Sequence, residues 1–311
     1  MSWRKGIFWA AALSCLLALL LLPETSAAAA RDALALCAQT VIPSLFPFFA
    51  LSSLLVSCGA GEALSSLLAP LMRPLFGLSG AGAAALALGL CGGYPVGART
   101  SAELTRSGVL TREEGERLLG FCNNAGPGFL LGICGGAVFA SPRAGAALYL
   151  IHVASALLTG LLLCRRLPPI RAVRAARTAE QRGASLSAAL PAAVQGALSG
   201  ILNVCAFVVF FTVLARLALS LLPDAAARSL PCAALLGLLE LTSGVTALPN
   251  SRAGFLLCAA MLGWGGLSVH CQTLSALADS PLTGKYYLRG KAVQAAVSLL
   301  LALPALPALF P

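Results

Sequence analysis

The sequence predicts an all-α polytopic membrane protein: an inverted-repeat transporter with two re-entrant hairpins, broken transmembrane helices and about 7–8 full spans. Three observations predict it. Of 311 residues, 59% are hydrophobic and only 10% are charged, and mean hydropathy is +0.89. Soluble domains carry about 25% charged residues, so this composition belongs in a bilayer. The apolar runs are broken by LCGGYPVG, FCNNAGPGF, LLELTSG and MLGWGGLSVH, and an uninterrupted lipid-facing helix would not be written with glycines, prolines and polar residues grouped in this way. The breaks also recur in the same order on both sides of one basic stretch. Irregular backbone at membrane depth is tolerated only where protein buries it or a watery cavity adjoins it.

Taken in order, residues 1–30 form an N-terminal transmembrane helix or a signal-like segment. Arg4 and Lys5 precede the apolar run 7–22, and small residues follow it in PETSAAAA. The first repeat covers residues 31–164. Its opening span, 33–58, holds Pro43 and Pro47 and should kink. Residues 62–76 read as an interfacial amphipathic helix. A hairpin follows at about 80–107, with an apolar arm 81–90 and a more polar arm 96–106 that spaces Arg99 and Glu103 at i,i+4. Arms of about ten residues are too short to cross a membrane, so the chain enters and leaves on one side. At the tip, Gly92 and Gly93 loosen the backbone, and Pro95 keeps Tyr94 out of the α region. A charged loop spans 107–117, where Thr111 and Glu114 have capping-box spacing. A helix over 118–140, interrupted at FCNNAGPGF, and a plain span over 145–164 containing His152 close the repeat.

Residues 165–185 form a basic linker with six arginines against one glutamate, read as a solvated cytoplasmic loop. The second repeat, 186–311, has a long span over 189–222, a hairpin at about 231–250 with its tip in LELTSGV, a broken span over 252–277, and a last span over 291–310. Placing Arg4, Lys5, the linker, Lys285, Arg289 and Lys291 in the cytoplasm makes the two hairpins open from opposite sides, which is inverted topology.

The net charge of +10 follows from positive residues gathered in cytoplasmic loops, and no nucleic-acid-binding motif accompanies it. The 11 cysteines include no C-x-x-C, and there are only two histidines, so no metal site is expected. There is no Walker sequence, G-x-S-x-G or H-E-x-x-H, hence no catalytic residue, no organic cofactor and no enzyme reading. The expected partners are the lipid bilayer and a small anionic solute, with self-association into a homo-oligomer left open.

Glu240 is the sharpest single residue, because a carboxylate inside an apolar segment is expensive. It serves as a ligand for a coupling cation (proton or sodium), as a hydrogen-bond acceptor for substrate, or as a structural partner of Arg99 or Lys291. The remaining candidates stand beside the breaks: Gly93, Tyr94, Arg99, Asn123 and Asn124 in the first half, and Thr242, Ser243, Ser268 and Gln272 in the second. Helix ends at such breaks present free amides that suit an anion. Bland readings stand beside these: the asparagines as inter-helix hydrogen bonders, Arg99 and Lys291 as snorkelling cations, and His270 as packing.

GGYPVGART, GERLLGFCNNAGPGFLLG, ELTSG, and GGLSVHCQTL followed by KYYLRGKAVQ resemble the sporulation integral membrane protein family called YlbJ. The resemblance runs from about residue 35 to 300. Its members carry the Gate, or nucleoside-recognition, domain, which is distantly similar to the core of concentrative nucleoside transporters. It implies transport of dipicolinic acid during endospore formation, across a membrane of the cell or one that surrounds the forespore. Two rivals remain: a nucleoside or other small-solute symporter, and a non-transporting sporulation scaffold, which has no need of a cavity between the breaks.

Overall fold

The computed structural model describes residues 3–58, 60–165 and 186–310, so the basic linker lies outside the described residues except for Arg165. The described residues are all helical, with no strand. Helices α1 (Trp3–Leu21) and α2 (Pro23–Leu36) meet at Leu22, and the segments on either side of it bend by 98°. PETSAAAA thus opens a helix instead of trailing one. Pro23 occupies the first turn, where its missing N–H is no loss, and the alanines propagate the helix. The expected proline kink takes the form of a π-helical turn, Cys37–Val41, between α2 and α3 (Ile42–Ser57). There the Ile42 amide bonds the Cys37 carbonyl five residues back, which widens the helix just ahead of Pro43. Helix α4 (Ala60–Phe76) follows, and Leu67–Phe76 turns by 103° into Gly80–Gly92.

The first hairpin is α5 (Ala83–Gly92) packed on α6 (Val96–Arg106). Its turn contains Gly93, at φ 84°, and a cis peptide between Tyr94 and Pro95. A Cβ on Gly97 would stand 2.7 Å from the Cys122 carbonyl carbon, so only glycine lets the hairpin seat against residues 120–127.

The stretch expected as a charged loop is helix α7 (Arg112–Leu119), with Glu114, Glu116 and Arg117 buried. The Thr111–Glu114 capping box is formed, and it begins α7 rather than a helix at residue 118. The buried acids hold other parts of the chain. Glu114 also accepts the Ser79 amide at 3.0 Å. Glu116 accepts the Thr283 amide, the Thr283 hydroxyl at 2.7 Å and the Lys285 amide at 2.9 Å, fixing the turn before the last long helix. Arg117 pairs with Glu113 one turn earlier. Beyond an irregular segment lie the π-helical Gly128–Val138 and α8 (Pro142–Cys164).

In the second half, α9 (Leu186–Ser220) packs along α2 and α3, and Arg216 meets Asp32 at 3.3 Å. After the short α10 (Asp224–Ala227), α11 (Leu230–Leu239) and α12 (Leu241–Thr246) form a second hairpin. Its tip is the single extended residue Glu240, and TSG falls inside α12 instead of making the turn. The expected break in the next span lies at Gly265, between α13 (Arg252–Trp264) and α14 (Gly266–Leu277), where both glycines have positive φ. Helix α15 (Tyr287–Ala302) starts four residues before Lys291 and runs through a short 3₁₀ turn into α16 (Leu306–Leu309).

Among the described residues four helical stretches are long and apolar enough to cross a membrane: Pro142–Cys164, Ser187–Ser220, Arg252–Leu277 and Tyr287–Leu309. The number is six if each bent pair counts as one span. The Glu116 clamp makes a testable prediction. Glu116→Gln turns one of the two acceptor oxygens into a donor and so sets it against the Lys285 amide or against the Thr283 pair, and thermal unfolding in detergent should show a loss of about 2 kcal/mol. Thr283→Val, which removes only the hydroxyl, should lose less.

Candidate functional site

Each half contributes a hairpin tip and a helix break, and the free backbone groups of those breaks must be satisfied inside the protein. The first break, residues 120–127, is held from three sides. Its Ala125 amide donates to His152 Nε2 at 3.0 Å. Its Asn123 carbonyl accepts from Lys291 Nζ at 2.8 Å. Asn124 donates to the Phe121 carbonyl at 2.9 Å, and its Oδ1 accepts from Gln294 at 2.8 Å. The Asn123 side chain bridges both halves, accepting from the Ala98 amide at 3.3 Å and donating to Thr273 Oγ1 at 2.8 Å.

Tyr94 reaches across the molecule as well. Its hydroxyl donates to the Leu262 carbonyl at 2.8 Å, one turn before the Gly265 break, and accepts from Lys291 Nζ at 3.3 Å. His270 Nδ1 lies 3.0 Å from the Tyr287 hydroxyl, which is 3.1 Å from Thr273 Oγ1. At the second tip, Glu240 caps its own helix. Its carboxylate accepts from the Thr242 amide at 3.1 Å and the Ser243 amide at 2.6 Å. These amides, and no basic side chain among the described residues, are its partners within hydrogen-bonding distance. The expected pairing with Arg99 or Lys291 is not formed.

A cavity of about 340 Å³ opens between the two tips and the first break. Gly93 and Tyr94 line it from one tip, Glu240 and Thr242 from the other, and Gln272 from α14. Gly126–Phe129, where the π-helical segment begins, form another wall. The rest is mostly apolar and comes largely from α3, its preceding π turn and α9, with Thr40 of that turn adding a hydroxyl. Five sequence candidates therefore meet in one space: Gly93, Tyr94, Glu240, Thr242 and Gln272. Ser268 stands one turn behind, accepting from Gln272 Nε2 at 3.2 Å. Ser243 faces a neighbouring pocket of about 460 Å³ with Asp32, Thr212 and Arg216, and Thr242 lines both. Asn123 and Asn124 do not line the cavity. They are buried behind it in the hydrogen bonds given above. Arg99 is turned away as well: its guanidinium donates to the Gly196 carbonyl at 2.7 Å and lies 5.6 Å from the Phe49 ring centroid.

Lys291, expected to snorkel, is instead 1% exposed at the centre of this network. It is absent from the candidates drawn from sequence, and its signal is periodicity. Tyr287, Lys291, Gln294 and Ser298 recur every three or four residues and form one polar stripe on a helix whose other side chains, Arg289 apart, are apolar; all four are buried. On α8 the stripe His152, Ser155, Thr159 does the same, and Ser155 meets Ser298 at 2.8 Å. A snorkelling lysine needs no such companions.

Broken helices around a buried polar centre, with several membrane-length apolar helices, define this chain as an integral membrane protein. Residues 38–164, which contain GGYPVGART and FCNNAGPGF, match the Gate family, described as nucleoside recognition. The chain is 36% identical over 141 residues to the sporulation integral membrane protein YlbJ of Bacillus subtilis (strain 168), a match that takes in 45% of this chain and 35% of that protein. The resemblance to this family is thus shown, but over residues 38–164 for the family and over 141 residues for the relative instead of the whole stretch 35–300, and the aligned region spans about a third of the relative's length. No solved structure matches.

The bond between Asn124 and Gln294 makes a second prediction. A double-mutant cycle with Asn124→Ala and Gln294→Ala, read by thermal unfolding, should give a coupling of about 1 kcal/mol.

Proposed function

We propose that this protein is a membrane transporter of a small anionic metabolite during endospore formation, and that the metabolite is dipicolinic acid. The substrate binds near the midplane between the tips at Tyr94 and Glu240. The observation that carries this reading is the cavity itself. A scaffold gains nothing from a space walled by two hairpin tips and a helix break, since its polar groups would be cheaper packed solid. The volume, about 340 Å³, lies in the range of small-molecule sites. The Tyr94 ring offers a stacking face for an aromatic substrate. The wall at Gly126–Phe129 is a helix start, whose positive end favours a carboxylate, although Pro127 has no N–H and the Phe129 amide already bonds the Gly126 carbonyl. Gln272 and Thr242 add neutral hydrogen-bonding groups that suit either a carboxylate or a ring nitrogen.

The organisation that goes with this function is two repeats, 31–164 and 186–311, joined by a cytoplasmic linker over 165–185 and preceded by an N-terminal span or signal-like segment over 1–30. The hairpins lie at about 80–107 and 231–250. Counting α3, the broken stretch from α7 to the π-helical Gly128–Val138, and the bent N-terminal pair as one crossing each brings the four spans to seven, or eight if the two arms of that pair cross separately. Support for the repeat is the order of parts: α5–α6 then a helix broken at 120–127, and α11–α12 then a helix broken at Gly265. In this arrangement the halves rock about the fixed site.

A second reading has its own observation. Glu240 presents a carboxylate to the cavity, an acceptor suited to sugar hydroxyls or a base amine, and the matching family is described as nucleoside recognition. A nucleoside symporter would use the same tips. Uptake of labelled dipicolinate and of uridine into vesicles separates the two. Dipicolinate should accumulate, and Glu240→Gln, which spoils the cap on α12, should slow it about tenfold, equivalent to about 1.4 kcal/mol. Uridine transport without dipicolinate transport would sink the proposed substrate. Topology makes a further prediction: reporters fused within 165–185 should report the cytoplasm, and reporters fused at Pro223 or Asn250 the opposite side. A reporter at Pro223 that reads cytoplasmic would rule out the inverted repeat.

A further inference from the structure

We propose that Lys291 supplies the positive charge that selects an anionic ligand in the cavity, acting from behind Tyr94 as a positioning residue. This deepens the transporter reading and rests on it. Three observations carry it. First, the cavity lining contains a carboxylate but, among the described residues, no cation. Arg99, the cation that the sequence offers beside the first break, is spent on the Gly196 carbonyl and the Phe49 ring. Second, Lys291 is fully buried, and no described carboxylate stands within 4.0 Å of it. Its Nζ donates to the Asn123 carbonyl and the Tyr94 hydroxyl, both neutral. The titratable groups around it are Tyr94 from the first hairpin, Cys122 from the break, His152 from α8, His270 from α14 and Tyr287 from its own helix, and none is acidic. Third, Nζ lies 5.1 Å from the centroid of the Tyr94 ring, and that ring lines the cavity. The ammonium thus stands at the hydroxyl end of a side chain that belongs to the lining of the space where a ligand would sit.

A buried charge is normally retained only with an opposite charge, and breaking such a pair is costly. Lys291 has everything except that partner. An anion in the cavity would provide it through a low-dielectric path, where the interaction is much stronger than in water. Glu240 makes no ion pair with Lys291: its oxygens accept amides of α12 and it stands more than 4.0 Å from Nζ.

The test compares ligands of the same shape and different charge on the purified full chain. Thermal stabilisation is titrated with dipicolinate, nicotinate and benzoate, and with their uncharged amides. Wild type should respond to the carboxylates at concentrations at least tenfold lower than to the amides. Lys291→Gln and Lys291→Met should lose that preference, and Lys291→Arg should keep part of it. Without ligand, the Met variant should melt below the wild type, because the Asn123 carbonyl loses its donor, while the Gln and Arg variants, which can still donate there, should lose less. A Gln or Met variant that keeps the carboxylate preference overturns the proposal. So does a wild type that prefers amides or responds to neither class, or a collapse of the fold in Met and Arg variants alike, which would make the lysine structural. Stabilisation by nicotinate and benzoate but not dipicolinate would remove the proposed substrate and leave the role of Lys291 standing.

Discussion

Backbone that leaves the helix inside a membrane must find its hydrogen bonds within the protein, at several kcal/mol for each group that fails. The rest of this structure depends on how residues 120–127 meet that demand. The Asn123 carbonyl takes Lys291, the Ala125 amide takes His152, and the Asn124 side chain takes Gln294. Helices α8 and α15 are therefore committed, through one polar stripe each, to lie against the break. Glycine at 97 lets the first hairpin approach the same segment closely. The break is thus the meeting point of both halves.

The two hairpin tips solve a similar problem by different chemistry. The first uses Gly93, Tyr94 and Pro95, and then sends the Tyr94 hydroxyl to a carbonyl on α13. The second uses one residue, Glu240, whose carboxylate satisfies the amides that α12 exposes at its start. A side chain that caps its own helix has a defined position without any partner on another element. That gives the cavity one wall fixed locally and one wall fixed by contacts across the molecule. A motion that separated the halves would disturb Tyr94 and leave Glu240 capped.

Charge placement follows the same economy. The acids of α7 would be solvated on a loop, yet Glu114 and Glu116 are buried because each has several donors to satisfy: Ser79 and Thr111 for one, Thr283 and Lys285 for the other. These contacts anchor the turn that leads into α15, and so fix the height at which Lys291 enters the core. The arrangement around the break is held from outside as well as from within.

By itself the sequence determined the helical membrane class, the order of hairpins and broken helices, and the capping box at Thr111, because composition, glycine and proline placement and local spacing are all short-range signals. It also pointed to Gly93, Tyr94, Glu240, Thr242 and Gln272, which do face one cavity. Tertiary structure alone decided the rest. Whether Asn123 and Asn124 reach the cavity or stand behind it depends on Gln294 and Thr273, which lie 150 or more residues away in the chain. Whether Arg99 faces a ligand depends on a carbonyl of α9. Lys291 read as a surface cation because a lysine near the start of an apolar helix commonly reaches for headgroups. Only the packing of α15 against the first break turns that side chain inward, where the unmet carbonyl of Asn123 gives it a reason to stay.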